Sequence, residues 1–216
     1  MEIIWYGLAC FRLRSRGLTV VTDPFGPNFG LTLPRLRGDV VTISHDAPGH
    51  NQANLVRNVE HVFDGPGEYE INGVFINGVA TFHRGKVGER ERNTAFVYEF
   101  EDLTICHLGD LGVLPDRDQV EILSRADVLL LPVGGGDTLD AARAVEVVTE
   151  LEPSIVVPMH YGLPSLTLKL DTIDKFLKEL GVPRPEPVPS LKISRSDLQS
   201  EETQVVLLDV SGAGNE

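Results

Sequence analysis

Strand-like runs that lead into a histidine or an aspartate are the feature that most constrains the fold of this chain. Four such runs lead into His45, His83, Asp110 and His160. The runs VVTIS and ADVLLLPV are continuously apolar, which is typical of central strands covered on both faces. Layered α/β folds place functional side chains just beyond the carboxyl ends of their strands. We therefore expect these four polar residues to meet at one sheet edge.

The order of the predicted elements indicates one α/β domain over residues 1–216. The first half reads as short strands separated by Gly, Pro or Asp, and the second half alternates helix and strand. Helices are predicted at 139–151 and at 171–181, the second with an apolar stripe at helical spacing. Either Asp171 or Thr172 is placed to cap this second helix.

Two glycine-containing stretches are interpreted as turns. The stretch INGVFING carries the Asn-Gly pairs that are typical of hairpin turns. The stretch PVGGGDTLD opens the first predicted helix, and such a turn can bind an anion through its backbone amides. It lacks the Lys-Ser/Thr ending of a nucleotide-binding loop, so we favour a strand-to-helix turn capped by Asp137 or Thr138.

The charge balance and the cysteine content exclude several classes of function. The net charge of −13 argues against a general nucleic-acid or anionic-membrane binder, because phosphate affinity comes largely from Lys and Arg. Cys10 and Cys106 are the two cysteines and are expected to be buried, reduced thiols. The first residues do not read as a signal peptide, and no run approaches the ~18 apolar residues of a membrane span. A soluble, cytoplasmic protein is expected.

The histidines point to a metal site when they are taken together. A single histidine is more often a hydrogen-bonded structural residue, but several imidazoles with a carboxylate are the usual ligands of zinc or a similar divalent ion. His107, three residues before Asp110, is either a partner of that ligand or a buried core histidine. His61 has no comparable position at the end of a strand.

Six segments, in this order, resemble the metallo-β-lactamase-fold superfamily, and within it the metal-dependent hydrolases of the ascorbate-6-phosphate-lactonase-like group. They are TDPF, SHDAPGHN, GPGEYE, ATFH, HLGDLG and VPMHYG, and they extend over nearly the whole chain. The resemblance implies a four-layer αββα sandwich with its site at one edge of the two sheets.

The same resemblance implies a ligand set with two gaps. The first family motif is His-x-His-x-Asp-His, in which His45 and His50 match the outer histidines. Ala47 stands at the second histidine and Gly49 at the aspartate, and neither side chain can donate an electron pair to a metal. The next family ligands correspond to His83, the metal-bridging Asp110 and His160.

A reduced, mononuclear site follows from these two gaps, although an empty site stays open. One half keeps His45, His83 and Asp110, and the other keeps His50, His160 and Asp110, so that Asp110 alone would serve two ions. Three protein ligands and a water are an acceptable catalytic zinc shell. Manganese and iron are alternatives to zinc. Asp46 is a disfavoured replacement, since on an extended segment its side chain points away from that of His45.

The function expected from this site is hydrolysis of an ester, lactone or phosphoester by a metal-activated water, with Asp110 as the catalytic carboxylate. The alternative is a catalytically inactive relative that serves as a binding or regulatory module. Arg84 and Lys86 are the best candidates for binding an anionic substrate, although a solvated loop explains them as well. The expected partner is a small molecule; a homo-oligomer stays open.

Overall fold

Two β-sheets lie at the centre of the structure, a computed structural model that describes residues 1–15, 17–84, 91–198 and 202–212. The strands of the first sheet are β1 (Glu2–Gly7), β2 (Cys10–Ser15), β3 (Leu18–Thr22), β4 (Val40–Thr42), β5 (His61–Phe63) and β12 (Leu191–Lys192). Those of the second are β6 (Gly67–Ile71), β7 (Val74–Phe82), β8 (Arg92–Phe100), β9 (Leu103–His107), β10 (Val128–Pro132), β11 (Ile155–Met159) and β13 (Gln204–Val205). Their spatial orders are β12-β1-β2-β3-β4-β5 and β13-β11-β10-β9-β8-β7-β6.

Strand direction brings the functional strand ends to one edge. In the first sheet β3, β4 and β5 are parallel, and in the second sheet β9, β10, β11 and β13 are parallel. Strand β7 runs in the same direction as β9, because each is antiparallel to β8, which lies between them. The loops that follow β3, β4, β7, β9 and β11 therefore meet, as the strand ends predict.

The inner strands of the first sheet, such as β3 and β4, are buried on both faces. Trp5 and Phe11 belong to the core between the two sheets, whereas their neighbours Tyr6 and Cys10 belong to a second cluster on the outer face. This alternation follows from the two-residue period of a strand. Thr42 Oγ1 and Tyr98 Oη lie 2.7 Å apart, which joins the sheets by a buried hydrogen bond.

Each described α-helix follows one of the parallel strands β9, β10 and β11 along the chain. They are α1 (Arg117–Leu123), α2 (Ala141–Leu151) and α3 (Ile173–Leu180); α2 and α3 pack against each other. Asp140 caps α2 by accepting a hydrogen bond from the Arg143 N–H, so the prediction of Asp137 or Thr138 as the cap is wrong. Thr172 is the N-cap residue of α3, but its hydroxyl makes no cap hydrogen bond.

The predicted sandwich is confirmed, and the layer outside the first sheet has an unexpected form. Residues 24–38, which contain Pro24, Pro27 and Pro34, cover that sheet without a helix. Proline cannot continue a helix and also restricts the residue before it. A 3₁₀ turn at Ala53–Leu55 completes the cover.

Of the two Asn-Gly pairs in INGVFING, one forms a turn. Asn72 and Gly73 link β6 to β7, and both have positive φ angles, 52° and 79°. This is the backbone that a two-residue hairpin with the right-handed twist requires. Asn77 and Gly78 instead lie inside β7 and pair with both neighbouring strands. Within the described residues, no helix is long and apolar enough to cross a membrane.

Candidate metal centre

Five predicted ligands lie together at the shared edge of the two sheets. His45 and His50 come from the loop after β4, His83 follows β7, Asp110 follows β9, and His160 follows β11. The Nε2 atoms of His50, His83 and His45 lie 3.1, 3.7 and 3.9 Å from Asp110 Oδ2. His160 Nε2 lies 3.4 Å from Asp110 Oδ1. One carboxylate is thus surrounded by four imidazole nitrogens.

A tight turn places His45 and His50 side by side. The Ala47 N–H donates to the carbonyl of His45 at 3.0 Å, and the His50 N–H donates to the carbonyl of Ala47 at 2.8 Å. These bonds coil the segment so that the two rings, five residues apart, lie with their centroids 4.3 Å apart. The turn therefore brings both ends of the SHDAPGHN segment into one site.

Asp23 fixes the orientation of His50 from behind the site. Its Oδ2 lies 2.9 Å from His50 Nδ1 and accepts a 2.6 Å hydrogen bond from the Ser44 hydroxyl, while its Oδ1 accepts from the Ser44 N–H at 2.7 Å. Burial raises the pKa of Asp23, but the His50 and Ser44 hydrogen bonds outweigh it and lower the pKa. The ionised carboxylate keeps a proton on His50 Nδ1, which leaves Nε2 to face Asp110.

Asp110 is held by its backbone. Its N–H donates to Asn93 Oδ1 at 3.0 Å, and Asn93 Nδ2 in turn donates to Thr81 Oγ1 and to the carbonyl of Leu108. Gly109, just before it, has a φ of 57°, and a Cβ there would lie 2.4 Å from Ser44 Cβ. Only glycine fits where the two sheets approach so closely.

His107 is a buried structural histidine. Its Nε2 donates to the carbonyl of Ala9 at 2.8 Å, and its Nδ1 accepts from the Gly109 N–H at 3.3 Å. Both nitrogens are therefore used, and they connect the first sheet to the loop that carries Asp110. His107 supports this ligand through the backbone and not through its carboxylate.

His45 and His160 are neutral at neutral pH, whereas His50 is charged in the absence of an ion. Burial lowers the pKa of His45 to about 4, and it also lowers the pKa of His160. Burial acts in the same direction on His50, but the carboxylates of Asp110 and Asp23 outweigh it and raise the pKa to about 10. Burial raises the pKa of Asp110, but His160 and His50 hold it well below its usual value. At neutral pH, His45 and His160 keep free lone pairs beside an ionised carboxylate.

The donor set fits a divalent metal ion. Ligand atoms of His45, His50 and Asp110 all lie within 4.8 Å of one another. Asp110 Oδ1, His83 Nδ1 and His160 Nδ1 are buried without a hydrogen-bond partner. Buried polar atoms normally have partners, so an unpaired carboxylate oxygen among imidazoles indicates a group that completes it. Imidazole and carboxylate together suit zinc and similar ions.

Ala47 and Gly49, which the sequence resemblance aligns with two ligands of the family motif, line the cleft over this centre. The cleft has a volume of about 350 Å³. A Cβ at Gly49 would meet only ordinary contacts, the nearest being Phe29 Cζ at 3.4 Å. Asp46 is exposed and accepts a hydrogen bond from Asn51 at 2.7 Å, away from the cleft. Position 49 therefore has room for a Cβ beside Phe29 and Leu8, and Asp46 does not replace the aspartate of the motif.

Neither of the two predicted substrate-binding residues, Arg84 and Lys86, is among the described residues that line this cleft. Arg84 lines a neighbouring cleft, with its guanidinium 2.7 Å from Asp137 and 2.9 Å from Glu91. Both carboxylates neutralise it. A substrate role for Arg84 stays a prediction, and Lys86 lies outside the described residues.

Sequence reasoning missed the supporting residues. Asp23, Ser44 and Asn93 contact the ligands or their loops, and each lies at or near a strand end. Asp23 stands in TDPF, directly after β3, which was the one available signal. The hydrogen-bond partner of a short polar side chain depends on how the two sheets pack, which the sequence does not show.

Comparison with known proteins extends these observations. The family model described as a β-lactamase superfamily domain matches residues 2–160. A solved structure from Thermotoga maritima, described as a candidate Zn-dependent hydrolase of the metallo-β-lactamase superfamily, is 38% identical with a TM-score of 0.76. The similarity covers 96% of this chain and 99% of that one.

Two other similarities are more distant. A protein of Methanopyrus kandleri named as a UPF0173 metal-dependent hydrolase is 26% identical, over 84% of this chain and 94% of its own length. A metallo hydrolase of Ignicoccus hospitalis, 18% identical over 89% of this chain and 99% of its own with a TM-score of 0.67, shows the same fold. The family match spans most of the chain, and this chain therefore belongs to the metallo-β-lactamase superfamily.

Proposed function

We propose that this protein is a metal-dependent hydrolase that uses one divalent ion to cleave an ester, lactone or phosphoester. The observation that carries the proposal is the convergence of four imidazole Nε2 atoms on the Asp110 carboxylate, at 3.1 to 3.9 Å. The names of the relatives from Methanopyrus kandleri and Thermotoga maritima agree with it.

A single ion suits the ligands that remain. Two ions would each have two histidines and would share Asp110, because Ala47 and Gly49 supply no donor. One ion can draw on the whole set around a single carboxylate. We propose zinc as the ion, since imidazole-rich sites with one carboxylate suit it, with manganese and iron as alternatives.

The bound ion supplies a water acidified toward neutral pH and a Lewis acid for the scissile oxygen. The protein supplies orientation. Asp23 holds a proton on His50 Nδ1, so that Nε2 would be the nitrogen available to an ion once it is deprotonated, and neutral His45 would offer a second lone pair. Asp110 Oδ1, which has no hydrogen-bond partner, is placed to accept a hydrogen bond from the attacking water. Asp110 stays ionised, because His160 and His50 hold its pKa well below its usual value, so its role is to orient the water and not to keep the proton.

Turnover tests the proposal. The purified protein is loaded with zinc or manganese and assayed against a panel of esters, lactones and phosphoesters. We expect hydrolysis that a chelator abolishes and that Asp110→Asn lowers by about two or more orders of magnitude, since that variant removes the charged ligand at the centre of the site and the oxygen that orients the water. His61→Gln is the matched control, because His61 is exposed and lies outside the site.

The alternative is a non-catalytic protein, and the observation that favours it is the presence of Ala47 and Gly49 where the family motif has ligands. Protein that binds no ion and hydrolyses nothing in the panel would contradict the proposal. The cleft would then be a vestige of the superfamily site that serves binding or regulation.

A further inference from the structure

The cleft over the metal centre combines an apolar lining with one cationic side chain. Its apolar walls come from Leu8, Phe29, Pro48, Leu168 and Leu170. Lys169 stands among them and is the one Lys or Arg among the described residues that line the cleft. The neighbouring Leu168 is 37% exposed, although it is a large apolar side chain. Apolar walls with one charged group are the usual lining of a pocket that binds a small molecule.

The charge of Lys169 is not balanced by the acidic groups near it. Of the two carboxylates that line the cleft, Asp110 faces the four imidazoles, and Asp137 pairs with Arg84 at 2.7 Å. No ion pair of Lys169 occurs within the part of the chain that the structure describes. By contrast, Lys175 nearby is paired with Asp171 at 2.7 Å. Lys169 therefore offers an uncompensated positive charge.

The backbone on both sides of Lys169 is anchored. On one side, the Thr167 N–H donates to the carbonyl of Phe29 at 3.0 Å. On the other side, the Asp171 N–H donates to the carbonyl of Gly134 at 2.8 Å. These bonds fix the segment as a wall of the cleft, so that only the lysine side chain needs to be ordered when a ligand binds. Such preorganisation lowers the cost of binding.

We propose that Lys169 determines specificity by binding the anionic group of a singly charged substrate whose apolar part lies on Phe29 and Leu168. This inference rests on the proposed function, because it places the scissile bond of that substrate over the metal centre. A protein with a net charge of −13 repels anions in general, and Lys169 offsets this repulsion at the wall of the cleft, apart from the charge of any ion at the centre.

A single negative charge fits better than a double one. Lys169 is one point charge, and the other cationic candidate, Arg84, is already paired with Glu91 and Asp137. A phosphomonoester dianion is usually held by several charge-assisted donors or an arginine fork, which the described lining does not provide. The favoured class is a small monoanion, such as a carboxylate that also carries an ester or lactone.

Binding of a substrate-sized probe tests this without turnover. Phenylacetate, its neutral amide phenylacetamide and phenyl phosphate are titrated by NMR into the native protein, Lys169→Met and Lys192→Met. Lys192 is the matched control, an exposed lysine on β12 that does not line the cleft. The metal content of all three proteins is measured, because a carboxylate can also bind the ion directly.

We expect Lys169→Met to weaken phenylacetate binding about fivefold, the value of a partly exposed ion pair. Phenylacetamide binding should stay unchanged, and Lys192→Met should behave like the native protein. Added salt should weaken phenylacetate binding in the native protein and much less in Lys169→Met. Equal phenylacetate affinity in the native protein and Lys169→Met, no binding to the native protein, or tighter binding of phenyl phosphate through Lys169 would each overturn the inference.

The outcome is separable from that of the proposed function. Binding of the monoanion through Lys169 without hydrolysis of any panel compound would contradict the hydrolase proposal and leave this inference standing. Hydrolysis that is indifferent to Lys169→Met, with unchanged anion affinity, would contradict this inference alone.

Discussion

His50 contacts both buried carboxylates of the site through its two ring nitrogens. It lies between two carboxylates, with Nδ1 2.9 Å from Asp23 Oδ2 and Nε2 3.1 Å from Asp110 Oδ2. Without an ion, both nitrogens are best satisfied as donors, which is why the pKa of His50 rises to about 10 although burial opposes it. With an ion, Nε2 must lose its proton. Proton release and metal binding are therefore coupled at this residue.

The pKa of His50 predicts how the stability of the metal-free protein depends on pH. The folded value of about 10 exceeds the ordinary histidine value of 6.5. The charged pair therefore stabilises the folded state fully below about pH 6.5 and loses this effect as the pH rises toward 10. We expect the Tm difference between the native protein and His50→Gln, both with chelator, to be largest at or below about pH 6.5 and to shrink above it.

The comparison needs one control. His61→Gln, an exposed site, shows the effect of the same substitution away from the carboxylates. A Tm difference for His50→Gln that stays constant or grows toward pH 10 would contradict the assignment.

At the residue scale, the ligands could be predicted and their supports could not. His45, His83, Asp110 and His160 follow recognisable strands, so their meeting point could be inferred from strand order alone. Asn93 lies at the beginning of β8 and supports Asp110 only because the antiparallel pairing of β8 with β9 brings it beside the loop that follows β9. That relation depends on register, which the sequence pattern does not specify by itself.

At the element scale, strands and helices were predicted correctly where apolar residues recur at a regular spacing. Strand β1 and helix α3 lie where the sequence pattern indicated, because each has a clear period and flanking Gly or Pro residues. Helix α1 (Arg117–Leu123) was not predicted; its seven residues include only Leu123 as a fully buried side chain. The apolar run TQVVLLDV at 203–210 reads as a strand, but it is paired as one only at Gln204–Val205.

The caps of α2 and α3 provide a test at this scale. Asp140 accepts a hydrogen bond from the Arg143 N–H at 3.0 Å, whereas the Thr172 hydroxyl makes no cap hydrogen bond. We expect Asp140→Ala to lower the free energy of unfolding by about 1 kcal/mol, and Thr172→Ala to change it by less than about 0.5 kcal/mol. Urea unfolding measures both. Equal losses in the two variants would show that the cap bond of α2 contributes nothing.

At the scale of the whole molecule, the metal centre joins the two sheets. His45 and His50 belong to the first sheet, and His83, Asp110 and His160 to the second. The superfamily fold accounts for this arrangement, and our proposal of a reduced ligand set rests on Ala47 and Gly49. The central claim is that the ligands that remain still hold one ion.

The metal content of the protein tests that claim most directly. The protein is purified without a histidine tag, loaded with zinc, freed of unbound metal and analysed by elemental mass spectrometry. We predict about one equivalent per chain, and much less in Asp110→Ala, because the shared carboxylate is lost. The double variant Ala47→His/Gly49→Asp restores both missing donors, with room for a side chain at Gly49, and should hold about two. No bound zinc, or two equivalents in the native protein, would contradict the account.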